Sequence, residues 1–218
     1  MRRLLAVAII AFAMTHPAEA QSRDQALIAA AGKGDLAPVE RLIRDGASVA
    51  ARDVRGRTAL LAATHGNHAA VARALISAGA DVNAKDNIED SPFLYAGAES
   101  RTEILKMTLA AGADLISTNR YGGTALIPAA HHGHPEAVKI LLGTAIDKDH
   151  VNKLGWTALL EAVILGDGGP VHAEIVRLLV EADANVNIAD RESVTPLTHA
   201  KRRGYAAMVR ILEAGGAR

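Results

Sequence analysis

Three histidines lie within four residues near the middle of the chain, at His131, His132 and His134, and Glu136 follows two residues later. Imidazole nitrogens and carboxylate oxygens are ligands of Zn²⁺ and other divalent metals, so the cluster is a candidate metal- or small-ligand-binding site. A helix that ends at His131 and His132 offers a second explanation, because cations are favoured at the negative end of a helix. We favour this second explanation and predict no bound metal, with the metal site as the alternative.

Two further segments have the composition of ligand-binding loops. The turn Asp147-Lys148-Asp149-His150 carries charged groups suited to a cation, although a solvated turn explains it with fewer assumptions. The glycine-rich segment 166–171 is either a binding loop, since loops often carry function, or an insertion tolerated at a turn. Both explanations of 166–171 remain open at the level of sequence.

Known catalytic motifs are missing from the sequence. It contains no Gly-x-Ser-x-Gly elbow, no glycine-rich phosphate loop followed by Lys-Ser/Thr, and no His-Glu-x-x-His. The absence of cysteine removes thiol chemistry as well. We therefore predict that the protein is not an enzyme and that it needs no cofactor.

The histidine cluster belongs to a phrase that recurs along the chain. The phrase opens with Thr124-Ala125-Leu126 and continues through paired alanines to Gly133. Equivalent openings begin at Thr58, Ser91, Thr124 and Thr157, which are equally spaced along the chain. A degenerate copy begins at Gln25, one interval before Thr58. Thr195 follows Thr157 by that interval plus an insertion of five. A repeat of this length predicts a solenoid of stacked units.

Each copy has the signals of two short helices. The opening Thr or Ser is a helix N-cap, whose hydroxyl accepts a bond from a free backbone N–H. One apolar position per copy should form a buried ladder, at Leu60, Phe93, Leu126, Leu159 and Leu197. The second helix has an apolar face at helical spacing. Glycines end the second helices at Gly46, Gly79, Gly112 and Gly216, where a left-handed residue is favoured.

Several copies replace a turn glycine by another residue. Asn67 and Ser100 stand between paired helices, Glu89 and Ser193 stand in the hairpin turns, and Asp183 follows a second helix. Asparagine tolerates the left-handed conformation, so Asn67 can replace the glycine at its position. In the fourth copy Ala145 takes the place of the terminal glycine.

These phrases resemble the ankyrin repeat. Asp53-Val54-Arg55-Gly56-Arg57-Thr58 matches the opening of the family's motif, and Gly79-Ala80-Asp81-Val82-Asn83 matches its close. The resemblance implies an all-α ankyrin-repeat solenoid of helix-turn-helix units with protruding hairpin loops. It also assigns His134 to the family's Gly-His turn. The six predicted repeats, all within a domain 21–218, are 22–53, 54–86, 87–119, 120–152, 153–190 and 191–218.

The amino terminus has the pattern of an export signal. Basic residues at Arg2 and Arg3 precede eleven apolar residues, and Ala18-Glu19-Ala20 has the small-x-small form of a cleavage site. Eleven helical residues span roughly 16 Å, about half of the ~30 Å core of a bilayer. We therefore predict a cleavable signal peptide at 1–20 and a periplasmic location, with an uncleaved anchor as the alternative.

Composition excludes some partners. The chain has 24 basic and 24 acidic residues, and loss of residues 1–20 leaves a net charge near −1. Nucleic-acid binding needs a clustered basic excess, so we expect no nucleic-acid partner. After signal cleavage no apolar stretch remains that is long enough to insert into a membrane. Without disulfides, the protein must be held together by packing alone.

The resemblance places a partner surface on the hairpin tips and on the exposed ends of the first helices. Tyr121 and Trp156 are the expected anchors, because aromatic and arginine residues dominate protein interfaces. The predicted partner-binding residues are Arg55, Arg57, His65, Arg120, Tyr121, His131, His132, Lys153, Trp156 and Arg202.

The predicted function is that of a protein–protein interaction module in the bacterial cell envelope. It would bind and modulate or shield a partner through its concave face. The resemblance to exported bacterial ankyrin proteins implies an envelope or peroxide-defence enzyme as one kind of partner. A secreted effector that binds a host protein, and the metal- or small-ligand-binding protein, are the alternatives. We expect a monomer.

Overall fold

The computed structural model of the protein describes residues 17–218, so most of the predicted signal peptide lies outside the described residues. These residues form twelve α-helices and contain no β-strand. None of the twelve helices is both long and apolar enough to cross a bilayer. The helices are α1 Pro17–Lys33, α2 Leu36–Arg44, α3 Ala59–His65, α4 Ala69–Ser77, α5 Pro92–Ala98, α6 Thr102–Ala110, α7 Leu126–His131, α8 Pro135–Leu142, α9 Ala158–Ile164, α10 Pro170–Glu181, α11 Pro196–Arg202 and α12 Ala206–Ala214.

The helices form six antiparallel pairs that stack in chain order. Each first helix contacts the first helix of the next pair, from α1 through α3, α5, α7 and α9 to α11. The second helices form a parallel row from α2 to α12. Five hairpin turns project between successive pairs. The predicted all-α solenoid of helix-turn-helix units is therefore confirmed.

The apolar ladder forms the core, as predicted. Leu60, Phe93, Leu126 and Leu159 are at most 1% exposed, and Leu197 is 5% exposed. They belong to one continuous apolar cluster that runs through all six pairs. Each first helix is only six or seven residues long from α3 onward, too short to be stable alone, so burial against neighbouring pairs must stabilise it.

Four of the five predicted Thr or Ser caps form. The hydroxyl oxygens of Thr58, Ser91 and Thr157 each accept a hydrogen bond of 3.2 Å from the backbone N–H three residues later. Thr195 accepts the same bond at 3.3 Å. In each case the carbonyl of the capping residue also accepts from the N–H four residues later, as in Glu161 N to Thr157 O at 2.9 Å.

Thr124 does not cap α7, so this prediction was wrong. The residue four positions on is Pro128, which has no N–H to give to the Thr124 carbonyl. The Ile127 N–H bonds to that carbonyl instead, at 3.2 Å. Among the described residues the buried Thr124 hydroxyl then has no hydrogen-bond partner, and α7 begins at Leu126 with Ala125 as its N-cap residue.

Five of the glycine replacements adopt the left-handed conformation, including Asn67, whereas Ala145 does not. The φ angles are 56° at Asn67, 65° at Glu89, 51° at Ser100, and 59° at both Asp183 and Ser193. A non-glycine residue at positive φ costs conformational energy, and packing against the neighbouring pairs holds these turns in place. The left-handed turn of the repeat is thus kept at these five positions, although their residues depart from glycine.

The five inserted residues are absorbed at one place. The connection between α9 and α10 has five residues, 165–169, whereas the connections at 66–68 and 132–134 have three. The other three inserted residues extend α10, which has 12 residues against 9 in α4 and α6. The insertion thus adds nearly one helical turn at the start of α10 and leaves the stacking intact.

The unpaired Thr124 hydroxyl distinguishes Thr124 from the residues that cap their helices. Thr124→Val removes a buried polar group that has no partner, so the free energy of unfolding should stay unchanged or rise by up to about 1 kcal/mol. The matched control Thr157→Val removes a working cap and should lower it by about 1 kcal/mol. Urea unfolding of both variants measures the difference, and equal losses would contradict the assignment.

Candidate partner-binding groove

A groove lies between the hairpin tips and the first helices of the third, fourth and fifth pairs. Its volume is about 460 Å³. We call it the central groove. Its lining residues include Asp90, Tyr95, Glu99, Arg120, Tyr121, His131, His132, Asn152, Leu154, Glu161 and Leu165. Four of the predicted partner-binding residues, Arg120, Tyr121, His131 and His132, are among them.

The rim of the central groove is apolar and exposed. Tyr121 is 53% exposed, Leu154 is 47% exposed and Leu165 is 42% exposed. The Arg120 guanidinium lies 4.8 Å from the centroid of the Tyr121 ring, and its Nη1 lies 3.8 Å from Asp90 Oδ2. An exposed aromatic ring beside a charged arginine is the usual composition of an interface anchor, and the two exposed leucines add apolar area that a partner would bury.

The floor of the groove holds a buried carboxylate, Glu161, which is 6% exposed. The Asn152 Oδ1 accepts bonds from the backbone N–H groups of Leu154 and Trp156 at 2.9 and 3.0 Å. These bonds direct the Asn152 Nδ2 to Glu161 Oε1, to which it donates at 2.8 Å. The second oxygen, Oε2, lies 3.7 Å from His131 Nδ1.

The charge of this floor changes near neutral pH. Burial raises the pKa of Glu161 to about 7, although the Asn152 hydrogen bond lowers it. Burial also lowers the pKa of His131, and the neighbouring His132 and His172 add to that effect. Both partners are therefore held towards their neutral forms, and a cationic group that enters the groove would favour the charged form of Glu161.

The sixth pair repeats this arrangement with other residues. Asp190 and His199 occupy there the positions that Asn152 and Glu161 occupy in the fifth pair, and the His199 Nε2 lies 2.7 Å from Asp190 Oδ2. The same two positions thus join the hairpin turn to the first helix in both pairs. Only the fifth pair places an acid on the helix side, facing the central groove.

A second groove lies between the first two pairs. Arg57 and His65 line it together with Asp53, and Arg57 Nη2 lies 2.8 Å from Asp53 Oδ2. The imidazole of His65 stacks on Tyr95, with ring centroids 4.0 Å apart and planes 6° apart. Since Tyr95 lines the central groove, the stacked rings form the partition between the two grooves.

The other predicted partner-binding residues line neither groove. Arg55 and Arg202 are exposed, and Trp156 is half-buried beside its hairpin turn. Lys153 joins two hairpins, because its Nζ donates to the Arg120 carbonyl at 2.9 Å and its N–H donates to the Tyr121 carbonyl at 2.9 Å. In the hairpin that carries Trp156, the exposed side chain that lines the groove is Leu154, whereas the sequence pointed to Trp156.

Glu161 and Tyr95 were also missed. The positions equivalent to Glu161 in other copies are Ala62, Tyr95, Pro128 and His199. Alignment of the copies shows an acid at this position in the fifth copy alone, on a helix that is buried. That difference is the signal in the sequence that points to Glu161.

The charged turn at 147–150 has a structural role. Asp147 Oδ1 accepts from the Asp149 N–H at 3.0 Å, the same bond that Asp81 and Asp114 make in their own turns. Asp149 Oδ1 accepts from the Asn185 N–H at 2.8 Å, and His150 Nε2 contacts the Gly122 carbonyl at 2.7 Å. The bonds of Asp149 and His150 connect consecutive pairs, and the bond of Asp147 holds its own turn.

The three clustered histidines are divided between two sites. His131 faces Glu161 in the groove floor. His132 and His134 lie instead with Glu99 of the preceding pair, and ligand atoms of these three residues are within 4.8 Å of one another. Glu136, which the sequence placed beside the cluster, is exposed and does not belong to that set.

Comparison with known proteins identifies the repeat. The family profile described as ankyrin repeats (three copies) matches residues 5–86, 93–190 and 147–217. The chain belongs to the ankyrin-repeat family. Ankyrin repeats are protein–protein interaction modules, and the match indicates no catalytic family.

Solved ankyrin structures share the whole fold. An ankyrin repeat domain from Acinetobacter baumannii AYE is 53% identical, with a TM-score of 0.85 over 88% of this chain and 98% of that one. The ankyrin repeat protein EF0377 is 43% identical, with a TM-score of 0.84 over 87% of this chain and 97% of that one. The ankyrin domain of Bcl-3, a member of the IκB family, is 29% identical with a TM-score of 0.80, covering 88% of this chain and 86% of that one.

A curated relative matches over a shorter stretch. The ankyrin repeat protein YahD of Escherichia coli K12 is 40% identical over 57 residues, which are 26% of this chain. The match spans 28% of the length of YahD.

The buried acid gives the ankyrin domain a predictable pH dependence. With a folded pKa of about 7 against an ordinary value of 4.5, folded Glu161 retains its proton where the unfolded chain has lost it. The free energy of unfolding should therefore fall as pH rises from about 4.5 through 7. Glu161→Gln keeps an acceptor for Asn152 and removes the titration, so at pH 8 it should be more stable than wild type by about 1–3 kcal/mol.

Urea unfolding of wild type and Glu161→Gln at pH 5 and pH 8 measures this effect. Both proteins retain His131, so the difference between them isolates the Glu161 carboxyl. A difference that is the same at the two pH values would show that the acid titrates normally.

Proposed function

We propose that this ankyrin domain is a protein-binding module of the bacterial cell envelope and that its partner docks in the central groove. The observation that carries the proposal is the exposed rim of Tyr121 and Leu154, with Arg120 stacked on Tyr121, above a buried acid. A water-exposed aromatic and an exposed leucine on adjacent hairpins gain most by burial in a partner.

The chemistry of the groove describes the partner's contact segment. An apolar side chain that packs between Tyr121 and Leu154 would bury the rim. A basic side chain beside it would reach the carboxylates of Glu161 and Asp90, both of which have a pKa raised by burial. Insertion of that positive charge would draw Glu161 into its charged form and strengthen the contact. The proposed contact is therefore a segment with neighbouring apolar and basic residues.

The envelope location rests on the amino terminus. Residues 1–20 combine a basic start, an apolar run and an Ala-x-Ala cleavage site. Because the domain has no cysteine, the oxidising environment of the periplasm forms no disulfide in it. The proposed role there is to shield or modulate another protein, with envelope enzymes, including those of peroxide defence, as the leading class of partner. A secreted effector that acts on a host protein is the second candidate, favoured by the same signal.

Partner capture tests the groove directly. The protein should be tagged at its carboxyl terminus, expressed in its own host and crosslinked, and captured proteins identified by mass spectrometry. The double variant Tyr121→Ala/Leu154→Ala should reduce capture of the main partner at least about tenfold, because both rim anchors are truncated. Helical circular dichroism should be unchanged, since both side chains are exposed.

The matched control is Ile116→Ala. Ile116 is also an exposed apolar residue, 81% exposed, but it does not line the central groove. It should leave capture unchanged. If Ile116→Ala weakens capture and the double variant does not, the partner binds elsewhere on the solenoid.

Processing and location form a separate prediction. Mass spectrometry of protein from fractionated cells should find a mature amino terminus at Gln21 in the periplasmic fraction. Protein that starts at Met1 in the membrane fraction would indicate an anchor, and accumulation in the medium would favour the effector.

A further inference from the structure

Glu99, His132 and His134 come together because repeats stack in register. Glu99 and His132 are separated by one repeat period, so they occupy equivalent positions in the third and fourth pairs. His134 lies two residues beyond His132, across a turn in which Gly133 has a φ of 76°. One ligand atom from each residue lies within 4.8 Å of the others.

The backbone that carries these side chains is fixed. His132 is the C-cap residue of α7, and its N–H bonds to the Pro128 carbonyl at 2.9 Å. His134 is the N-cap residue of α8, and its N–H bonds to the Ala129 carbonyl at 3.0 Å. The Glu99 N–H bonds to the Tyr95 carbonyl at 3.0 Å. A site built from pinned turns loses little entropy when a ligand binds.

The chemistry of the three groups is that of a transition-metal site. The His132 Nδ1–H donates a hydrogen bond of 2.9 Å to the Ala98 carbonyl and lies 3.4 Å from Glu99 Oε1, which leaves the lone pair of Nε2 free for a metal. His134 supplies the second imidazole of the set, with a ring nitrogen within 4.8 Å of the ligand atoms of Glu99 and His132. Neutral imidazole is the form that binds metal.

We propose that Glu99, His132 and His134 form a binding site for Zn²⁺ or a similar late first-row divalent metal, bridging the third and fourth pairs. Two imidazoles and one carboxylate are a known zinc ligand set that leaves the fourth position open. Around a tetrahedral zinc, ligand atoms stand about 3.4 Å apart, so the side chains must close in from 4.8 Å by small rotations.

Because the site lies beside the central groove, a bound metal would take part in partner binding. Glu99 and His132 also line the central groove, so the open coordination position is available to water or to a donor from a docked partner. The ion would also cross-link two neighbouring pairs. The site goes beyond the proposed protein-binding function and does not depend on it. The positive charge of Arg101 near His134 opposes the cation and sets a limit on affinity.

Titration calorimetry of the purified protein with ZnCl₂ at pH 7.5 tests the proposal. The expected result is one ion per chain. Glu99→Gln and His134→Asn should each weaken binding on the order of tenfold or more, because each removes one of three protein ligands. Asparagine is chosen at 134 because it is a favoured N-cap residue.

The matched control is His68→Asn. His68 is the equivalent of His134 in the second pair and is likewise the N-cap residue of its helix, α4. The positions corresponding to His132 and Glu99 are there occupied by Gly66 and Lys33, and within residues 17–218 His68 belongs to no metal-ligand set. The His68→Asn variant should bind zinc like wild type. Absence of binding by wild type, or equal binding by all four proteins, would overturn the proposal.

Anomalous diffraction provides a measurement that does not depend on variant folding. Crystals of wild-type protein soaked in ZnCl₂ should show an anomalous peak between Glu99, His132 and His134. A peak only at other histidines, or no peak, would overturn the assignment.

Discussion

The stacking of equivalent positions, one repeat period apart in sequence, is the constraint on which the rest of the structure depends. A pair of short helices cannot bury its apolar face alone, so each pair is stable only against its neighbours. Register places Leu126 between Phe93 and Leu159 in the core. The same translation places Tyr121 beside Leu154 at the hairpin tips and Glu99 beside His132 at the helix ends. The core ladder and the surface sites are thus consequences of one geometric rule.

The parts of the fold that could be predicted are those fixed by local backbone chemistry. A left-handed turn needs a residue that tolerates positive φ, and the frame of the repeat located Asn67, Glu89 and Asp183 correctly. The caps followed from the same frame, because a Thr or Ser before an apolar turn has one favourable role. Thr124 broke the rule through a competing local effect, since Pro128 withholds the donor that its carbonyl needs.

The candidate site was less predictable, because it depends on side-chain direction. Residue type pointed to Trp156 as an anchor, whereas Leu154, two residues earlier in the same hairpin, is the one that reaches the groove. His131 and His132 are neighbours in sequence, yet one faces Glu161 and the other faces Glu99. Position within the repeat does not determine which of two adjacent side chains at a helix end faces the following pair and which faces the preceding pair.

The central groove joins these features into one account of function. Its exposed rim supplies apolar contact, and its buried acid supplies a negative charge when a basic group binds. The Lys153 N–H joins the two rim hairpins through the Tyr121 carbonyl, and Asn152 holds Glu161 within the fifth pair. Site-specific photo-crosslinking in living cells tests this most directly, with a benzophenone amino acid at Tyr121, at Leu154 or at Ile116. The account predicts one shared protein adduct from Tyr121 and Leu154 and none from Ile116. An adduct from Ile116 alone, or none from the two groove positions, would contradict it.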